Sequence, residues 1–317
     1  MELYKINDQS LKKISGSTFD IERSLQNIVE NNLEVVFGID FVASEFSVSN
    51  YRLDTVGYDK DLNAFVIIEY KRDSKDSVID QGFAYLNTLL SSKADFVLKY
   101  NEVFSARKKT EEFDWSQSKV IFVAGSFTPY QIDAANNPSL PIELYEARKY
   151  KNNYMTLNQI KKTGKAFKLL QNKRNIKKKP QKKPNEVENV LDIEVPTEER
   201  LLESSNETVQ DLYQRMKATL LEWDPSFEIK PTKYYIGFRL NHHNVIDFLP
   251  QNRALKVWLN LTKDTLNDPE NLTRDVSQTG HWGNGDYELK LTNDEQLEYI
   301  LSLMKQAWRT HSNSGDD

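Results

Sequence analysis

Residues 51–85 read Y-R-L-D-T-V-G-Y-D-K-D-L-N-A-F-V-I-I-E-Y-K-R-D-S-K-D-S-V-I-D-Q-G-F-A-Y. Asn63–Lys71 is a strand with a solid apolar run, the pattern of a strand covered on both faces. It ends in charge, at Glu69 and Lys71. A carboxylate beside such a run is costly to bury unless it is paired or bound to a metal. Asp54 closes the preceding strand, read as Phe46–Val56. Adjacent antiparallel strands lie about 4.8 Å apart, so Asp54 and Glu69 can converge on one cation. Their hard oxygens suit Mg²⁺ or Mn²⁺. Residues two apart on a strand face one side. Lys71 therefore points with Glu69, where it can act on an attacking water, and Tyr70 points away.

The next segment, Ser77–Leu90, reads as a helix with Ile79, Phe83, Leu86, Leu89 and Leu90 on its buried side. Gln81 and Tyr85, four apart, share a helical face. They lie away from that stripe, which leaves Gln81 without a core role.

Around this segment the first 160 residues read as α/β. Phe19–Phe37 has helical spacing and Gly38 follows as a C-cap. Strands are expected at Ala94–Tyr100, Lys119–Ala124 and Ile142–Tyr150, and a short helix at Thr128–Ala135. Together they predict a mixed sheet flanked by helices. Residues 161–196 read as a linker, basic and then acidic, containing Pro180, Pro184 and Pro196. Ile160–Leu170 is able to extend a helix out of the first domain. Residues 197–311 predict a smaller α+β domain. It has a helix at Glu207–Glu222, strands at Tyr234–Arg239, Val245–Leu249, Leu255–Leu261 and Tyr287–Leu291, and a last helix at Asn293–Thr310. Residues 312–317 read as a disordered tail.

The segment R-L-D-T-V-G-Y-D … A-F-V-I-I-E-Y-K-R … D-Q-G-F-A-Y resembles the PD-(D/E)XK nuclease superfamily. It is most similar to RecB-like members with a Q-x-x-x-Y motif and to the C-terminal domain of NucS-like endonucleases. The resemblance covers roughly residues 15–125 and implies a restriction-endonuclease-like fold. It also implies a Mg²⁺-dependent endonuclease cutting DNA, with Asp54, Glu69 and Lys71 as the catalytic core. Gln81 and Tyr85 match the helix motif that contacts nucleic acid or steadies the site. The family usually adds a glutamate from its first helix. Glu22, in E-R-S-L, is the preferred candidate as a third metal ligand, and Glu30 and Glu34 compete with it. Leu53 stands where the name-giving motif has Pro. By analogy the setting is genome defence, restriction or repair, and the rival reading is a nuclease fold that binds nucleic acid or a protein without cutting. Cutting both strands needs two active sites, which is compatible with a homodimer.

The charge distribution agrees with a nucleic-acid partner. The chain carries −5 overall, yet Lys161–Lys183 holds eleven Lys/Arg and no Asp/Glu. A local basic tract suits phosphate contact within an acidic protein, and a solvated linker reads equally well. The chain has no cysteine, which excludes disulfides, thiolate metal sites and a Cys nucleophile. The polar N-terminus and the absence of a long apolar run predict a cytoplasmic protein without a membrane span.

The C-terminal segment, through K-Y-Y-I-G-F, L-K-V-W-L-N-L and D-V-S-Q-T-G-H-W-G-N-G-D-Y-E-L, resembles a domain of unknown function often appended to such nucleases. That resemblance spans about residues 200–310 and implies recognition, partner binding or dimerisation rather than chemistry. His242, His243 and His281 have no Cys beside them, and adjacent histidines on a strand point apart, so zinc is not expected. The Gly-rich T-G-H-W-G-N-G-D lacks a P-loop lysine and reads as a turn. Tyr235, Trp258 and Trp282 are candidates for exposed aromatic contacts or for the core.

Overall fold

The apolar run ending at Glu69 becomes an inner strand of a seven-stranded sheet, flanked on either side by another strand. The computed structural model describes residues 2–17, 19, 22–71, 78–138, 140–164, 196–279 and 284–312. The chain divides into two compact units, Met1–Glu194 and Val195–Asp317. In the first unit the chain order is β1 (Leu3–Asn7), β2 (Ser10–Ile14), β3 (Gly16–Ser17), α1 (Glu22–Glu30), α2 (Leu33–Phe37), β4 (Asp40–Val48), β5 (Tyr51–Asp59) and β6 (Ala64–Lys71). Then follow α3 (Val78–Ser91), α4 (Lys93–Val103), β7 (Lys119–Ala124), α5 (Pro129–Ala135), β8 (Ile142–Tyr150) and β9 (Tyr154–Gln159).

β4, β5 and β6 form an antiparallel meander, while β6, β7 and β8 run parallel. β9 and the short β3 pair antiparallel with β8. Helices cover both faces. Val66, Ile68 and Tyr70 pack with α1 and α2 through Leu25, Val29, Leu33 and Phe37. Phe65 and Ile67, from alternate positions, pack on the other face with α3 and α4 through Val78, Tyr85, Leu89 and Phe96. This is the mixed sheet flanked by helices that the alternation of elements predicts. β1 and β2 stand apart as a two-stranded ribbon of their own.

Four local readings change. The predicted helix 19–37 is two helices, because the Asn32 amide donates to the Ile28 carbonyl at 2.7 Å, a local bond that competes with continuation. Gly38 caps α2 at φ 65. The strand expected from Phe46 begins at Asp40, and a turn at Ser49–Asn50 splits the predicted 46–56 strand into β4 and β5. Residues 94–100 are helical, not extended. Phe96, Val97 and Tyr100 are buried at helical spacing while Leu98 is 71% exposed, and a short apolar run cannot itself distinguish the two. β9 occupies the stretch before Ile160 that had no assigned element. Residues 160–164 are not helical. The rest of the proposed helical extension, most of the basic tract and the linker lie outside the described residues.

The second unit contains α6 (Glu198–Leu202), α7 (Glu207–Trp223), β10 (Glu228–Pro231), β11 (Ile236–Leu240), β12 (His243–Pro250), β13 (Leu255–Leu259), β14 (Arg274–Asp275), β15 (Tyr287–Leu291) and α8 (Leu297–Ser312). Its antiparallel sheet has the order β10-β11-β12-β13-β15-β14. Leu212, Met216 and Leu220 of α7 and Ile300, Leu303 and Met304 of α8 share one core with the sheet. Tyr235 and Trp258 are buried rather than exposed contacts. Asp247 is fully buried and accepts from the Asn244 side chain at 2.7 Å and from the Asn284 N–H at 2.6 Å. His242 lies in the β11–β12 turn at φ 70, so only His243 is on a strand. His281, Trp282 and the neighbouring glycines of the Gly-rich segment lie outside the described residues, as does the tail beyond 312. Among the described residues, no helix is long and apolar enough to cross a membrane.

Candidate active site

Strand register sets the acids side by side. Thr55 pairs with Ile68, so the next step along the two strands places Asp54 opposite Glu69. On its other side, Ser44 pairs with Thr55 and Phe46 with Leu53, which places Glu45 opposite Asp54. Three neighbouring strands thus bring Glu45, Asp54 and Glu69 to one level of the sheet.

Asp54 Oδ2 accepts from the Tyr70 N–H at 3.0 Å. Burial, then the charge of Glu69, pushes the Asp54 carboxyl up to about 7, and Glu45 adds to the rise. The Tyr70 N–H and Lys71 act in the opposite direction without prevailing. Glu69 is 5% exposed. Its Oε1 accepts from Lys71 Nζ at 3.1 Å and from Gln81 Nε2 at 2.7 Å. Its Oε2 is buried with no hydrogen-bond partner. A buried carboxylate oxygen in that state costs about 1–3 kcal/mol or more. Gln81 also donates to the Tyr85 hydroxyl at 2.6 Å. Burial and then Glu69 raise the Tyr85 hydroxyl well above its usual range, which keeps it neutral.

Helix α3 reaches Glu69 because Gly82 has no side chain. A Cβ there would meet Ile142 Cδ1 at 2.7 Å and Phe122 Cε2 at 3.3 Å. The close approach carries the adjacent Gln81 onto the end of β6. It also corrects the expected buried stripe. Val78, Gly82, Tyr85, Leu86 and Leu89 face the sheet, while Phe83 and Ile79 are only partly covered. Tyr85 is therefore a core residue, 4% exposed, rather than one lying away from the core. Its ring meets the half-exposed Tyr51 edge-on at 5.7 Å.

The structure brings Asp54, Glu69, Lys71, Gln81 and Tyr85 together. Of the first-helix glutamates, Glu30 and Glu34 have partners elsewhere, and Glu22 is exposed. Glu22 is exposed at the first position of α1. Glu30 accepts from Thr55 Oγ1 at 2.6 Å and from Gln26 at 3.0 Å, on the Tyr70 side of the sheet. Glu34 pairs with Lys60 at 3.2 Å. The additional acid acting on Asp54 is Glu45, at φ 52, whose carboxylate pairs with Arg52 and, at 3.7 Å, with Arg23. The signal for it was the turn V-S-N-Y. A two-residue loop at Ser49–Asn50 fixes Val48 opposite Tyr51 and hence Glu45 opposite Asp54.

Among the described residues, no group of three or more Asp, Glu or His side chains is arranged to close on one ion. Two carboxylates are nevertheless enough for Mg²⁺, which is commonly held by one or two carboxylates together with water and substrate phosphate. One lysine, Lys71, faces two acids, Glu69 Oε2 has no hydrogen bond and the Asp54 carboxyl stays raised, so this donor set fits a hard divalent cation.

Fold and site together describe a two-unit α/β protein whose first unit carries a carboxylate–lysine cluster at the end of a central strand. The chain is 42% identical over 307 residues to an uncharacterized protein of Haemophilus influenzae, an alignment covering 97% of this chain and 99% of that one. It belongs to the same family as that protein. Residues 198–311 match the family described as a domain of unknown function, DUF5655. Among solved structures, a repair endonuclease from Pyrococcus abyssi overlaps 42% of this chain and 50% of its own, with 20% identity and a TM-score of 0.24. An EndoMS–dsDNA complex overlaps 45% and 49%, with 17% identity and a TM-score of 0.25. The chain thus spans about half the length of either, and overlaps this loose carry no weight for the site.

Proposed function

We propose that the first unit hydrolyses phosphodiester bonds of DNA with a divalent cation, Mg²⁺ or Mn²⁺, held by Asp54 and Glu69. The observation that carries this reading is the buried, unpartnered Oε2 of Glu69 beside an Asp54 carboxyl pushed up to about 7. A fold has no stability reason to keep two acids in that state, and a cation-binding site does. When bound, the cation supplies positive charge against the charge developing on the phosphate.

The side chains divide the remaining work. Lys71 Nζ, fixed by Glu69 Oε1, orients the attacking water by hydrogen bonding. The water oxygen bonds to phosphorus as the bond to the leaving oxygen breaks. The water's proton passes to solvent or to a phosphate oxygen, and the leaving oxygen is reprotonated. Gln81 and Tyr85 are positioning residues. Gln81 holds Glu69 Oε1 and leaves the buried Oε2 unengaged, while the neutral Tyr85 hydroxyl anchors Gln81. The basic tract 161–183 supports a polyanionic substrate.

The decisive assay incubates the full chain with plasmid, single-stranded DNA and RNA in Mg²⁺, Mn²⁺ or EDTA, beside Lys71→Ala. Cleavage of DNA that needs metal and is lost in the variant supports the reading. Cleavage in EDTA, equal activity in the variant, or no cleavage of any substrate overturns it.

A further inference from the structure

The ribbon β1–β2 is tied into neither larger sheet. A lone two-stranded ribbon is marginal in water, and one that persists in a fold normally has a surface to lie on. Here the apolar side chains face outward. Ile6 and Leu11 pair across the strands and are 74% and 68% exposed; Tyr4, on the same face, is 42% exposed. On the opposite face Lys5 stands directly across from Lys12, both exposed. Like charges at directly opposed positions destabilise a strand pair, so the ribbon carries a local cost that an anion would remove. Lys13, by contrast, is neutralised by Glu2.

The ribbon is rooted in the sheet beyond the level of the candidate active site. It leads straight into β3, which pairs with Lys149 and Tyr150 of β8. The other edge of β8 at those residues is taken by β9, so β3 occupies the edge that β7 holds further back. Lys71 aligns with Ala124, and Ala124 with Glu146. Ser17 therefore lies about three residues beyond the level of Lys71 and one strand over, on the order of 10 Å away.

From these observations we infer that β1–β2 is a second nucleic-acid contact, a ribbon that enters a groove of duplex DNA. Ile6 and Leu11, one pair back from the Asp8–Gln9 turn, lie against base edges, and Lys5 and Lys12 meet the phosphates. This rests on the hydrolytic reading only for the choice of polyanion. A major groove about 12 Å wide admits a two-stranded ribbon, and a groove engages both faces of the ribbon at once. A protein partner fits less well. Three apolar side chains fall far short of the roughly 1,200 Å² of a stable protein interface, and a partner on that face leaves the lysine pair unanswered.

The test measures binding of the full chain to a labelled duplex in EDTA, by fluorescence anisotropy, across a range of salt concentrations. The variants are Lys5→Gln/Lys12→Gln and Ile6→Ser/Leu11→Ser, each checked by circular dichroism and for oligomeric state. Removing the lysine pair is expected to flatten the slope of log K against log salt by about 1.8, two phosphates at 0.9 each, and to weaken binding tens-fold at about 0.1 M salt. The serine variant should weaken binding with the slope unchanged. No duplex binding by the parent chain, or an unchanged slope and affinity in both variants, overturns the inference. So does a serine variant that turns a dimer into a monomer while DNA binding is untouched. A chain that shows this ribbon dependence but cuts nothing keeps the inference and rejects hydrolysis. A chain that cuts while ignoring the ribbon does the reverse.

Discussion

Replacing Gly82 with alanine should separate activity from stability. The added Cβ would sit 2.7 Å from Ile142 Cδ1, 3.2 Å from Ile142 Cγ1 and 3.3 Å from Phe122 Cε2. Overpacking of this kind costs about 1–3 kcal/mol, while alanine in a helix interior returns up to about 1 kcal/mol over glycine. The net loss of stability is therefore small, between roughly 0 and 2 kcal/mol. Relief comes by lifting α3 off the sheet by several tenths of an ångström. Gln81 then loses its 2.7 Å bond to Glu69, and displacements approaching 1 Å at a catalytic group can cost on the order of a hundredfold in rate. The expected result is a urea midpoint lowered by no more than about 1 M and metal-dependent cleavage reduced ten- to a hundredfold. Ile142→Val removes the Cδ1 atom that the new methyl strikes. The double variant should recover most of the activity, although Ile→Val alone costs about 0.5–1.5 kcal/mol. Full activity in Gly82→Ala, or no recovery in the double variant, refutes the idea that the missing side chain seats Gln81.

Other consequences follow from the acid cluster and the basic tract. Asp54 holds its proton more tightly folded than unfolded, so its ionisation works against the fold; stability in chelator should fall as pH rises from about 4 to about 7. Asp54→Asn should then be more stable than the parent in urea at pH 8, by up to about 4 kcal/mol, with little gain at pH 4; an equal difference at both pH values contradicts the assignment. Glu45→Gln removes one of the charges raising Asp54 and should strengthen metal binding at pH 6 less than it weakens the Arg52 contact, so calorimetry should show near-equal affinity with a lower thermal midpoint. Lys177→Gln/Lys178→Gln/Lys179→Gln should weaken DNA binding and flatten its salt dependence; unchanged affinity at two salt concentrations rejects a role for that tract.

The part of the site legible in the sequence is the part fixed by period and register. The apolar run 65–68, with its β-branched Val66, Ile67 and Ile68, reads as an inner strand, which puts Glu69 and Lys71 at its end and on one face. Asp54 was reachable because one hairpin separates it from Glu69. Glu45 was not, because a single strand at 46–56 leaves it outside and hides the Ser49–Asn50 turn that sets it opposite Asp54. The choice among the first-helix glutamates stayed open for a different reason. Helical spacing says which residues share a side, but not that Asn32 interrupts the helix or that Glu30 turns to Thr55. Residues 94–100 read as a strand from composition, and burial of Phe96, Val97 and Tyr100 decided otherwise. The alternation of Tyr4 and Ile6 with Lys5 and Asn7 spans only five residues and buries neither face, so the ribbon β1–β2 gave no core stripe to read.

The antiparallel meander β4–β5–β6 is contiguous in the chain, whereas β7 and β8 join it only through crossovers carrying α3, α4 and α5. Short loops close at less entropic cost than long ones, so the meander can pair before the parallel half of the sheet is recruited. Glu45, Asp54 and Glu69 then meet while still open to water, where their repulsion is screened. Only when α3 docks against Phe122 and Ile142 does the dielectric around them fall. Pairing in that order would bring the three acids together before α3 covers them, when their repulsion costs least.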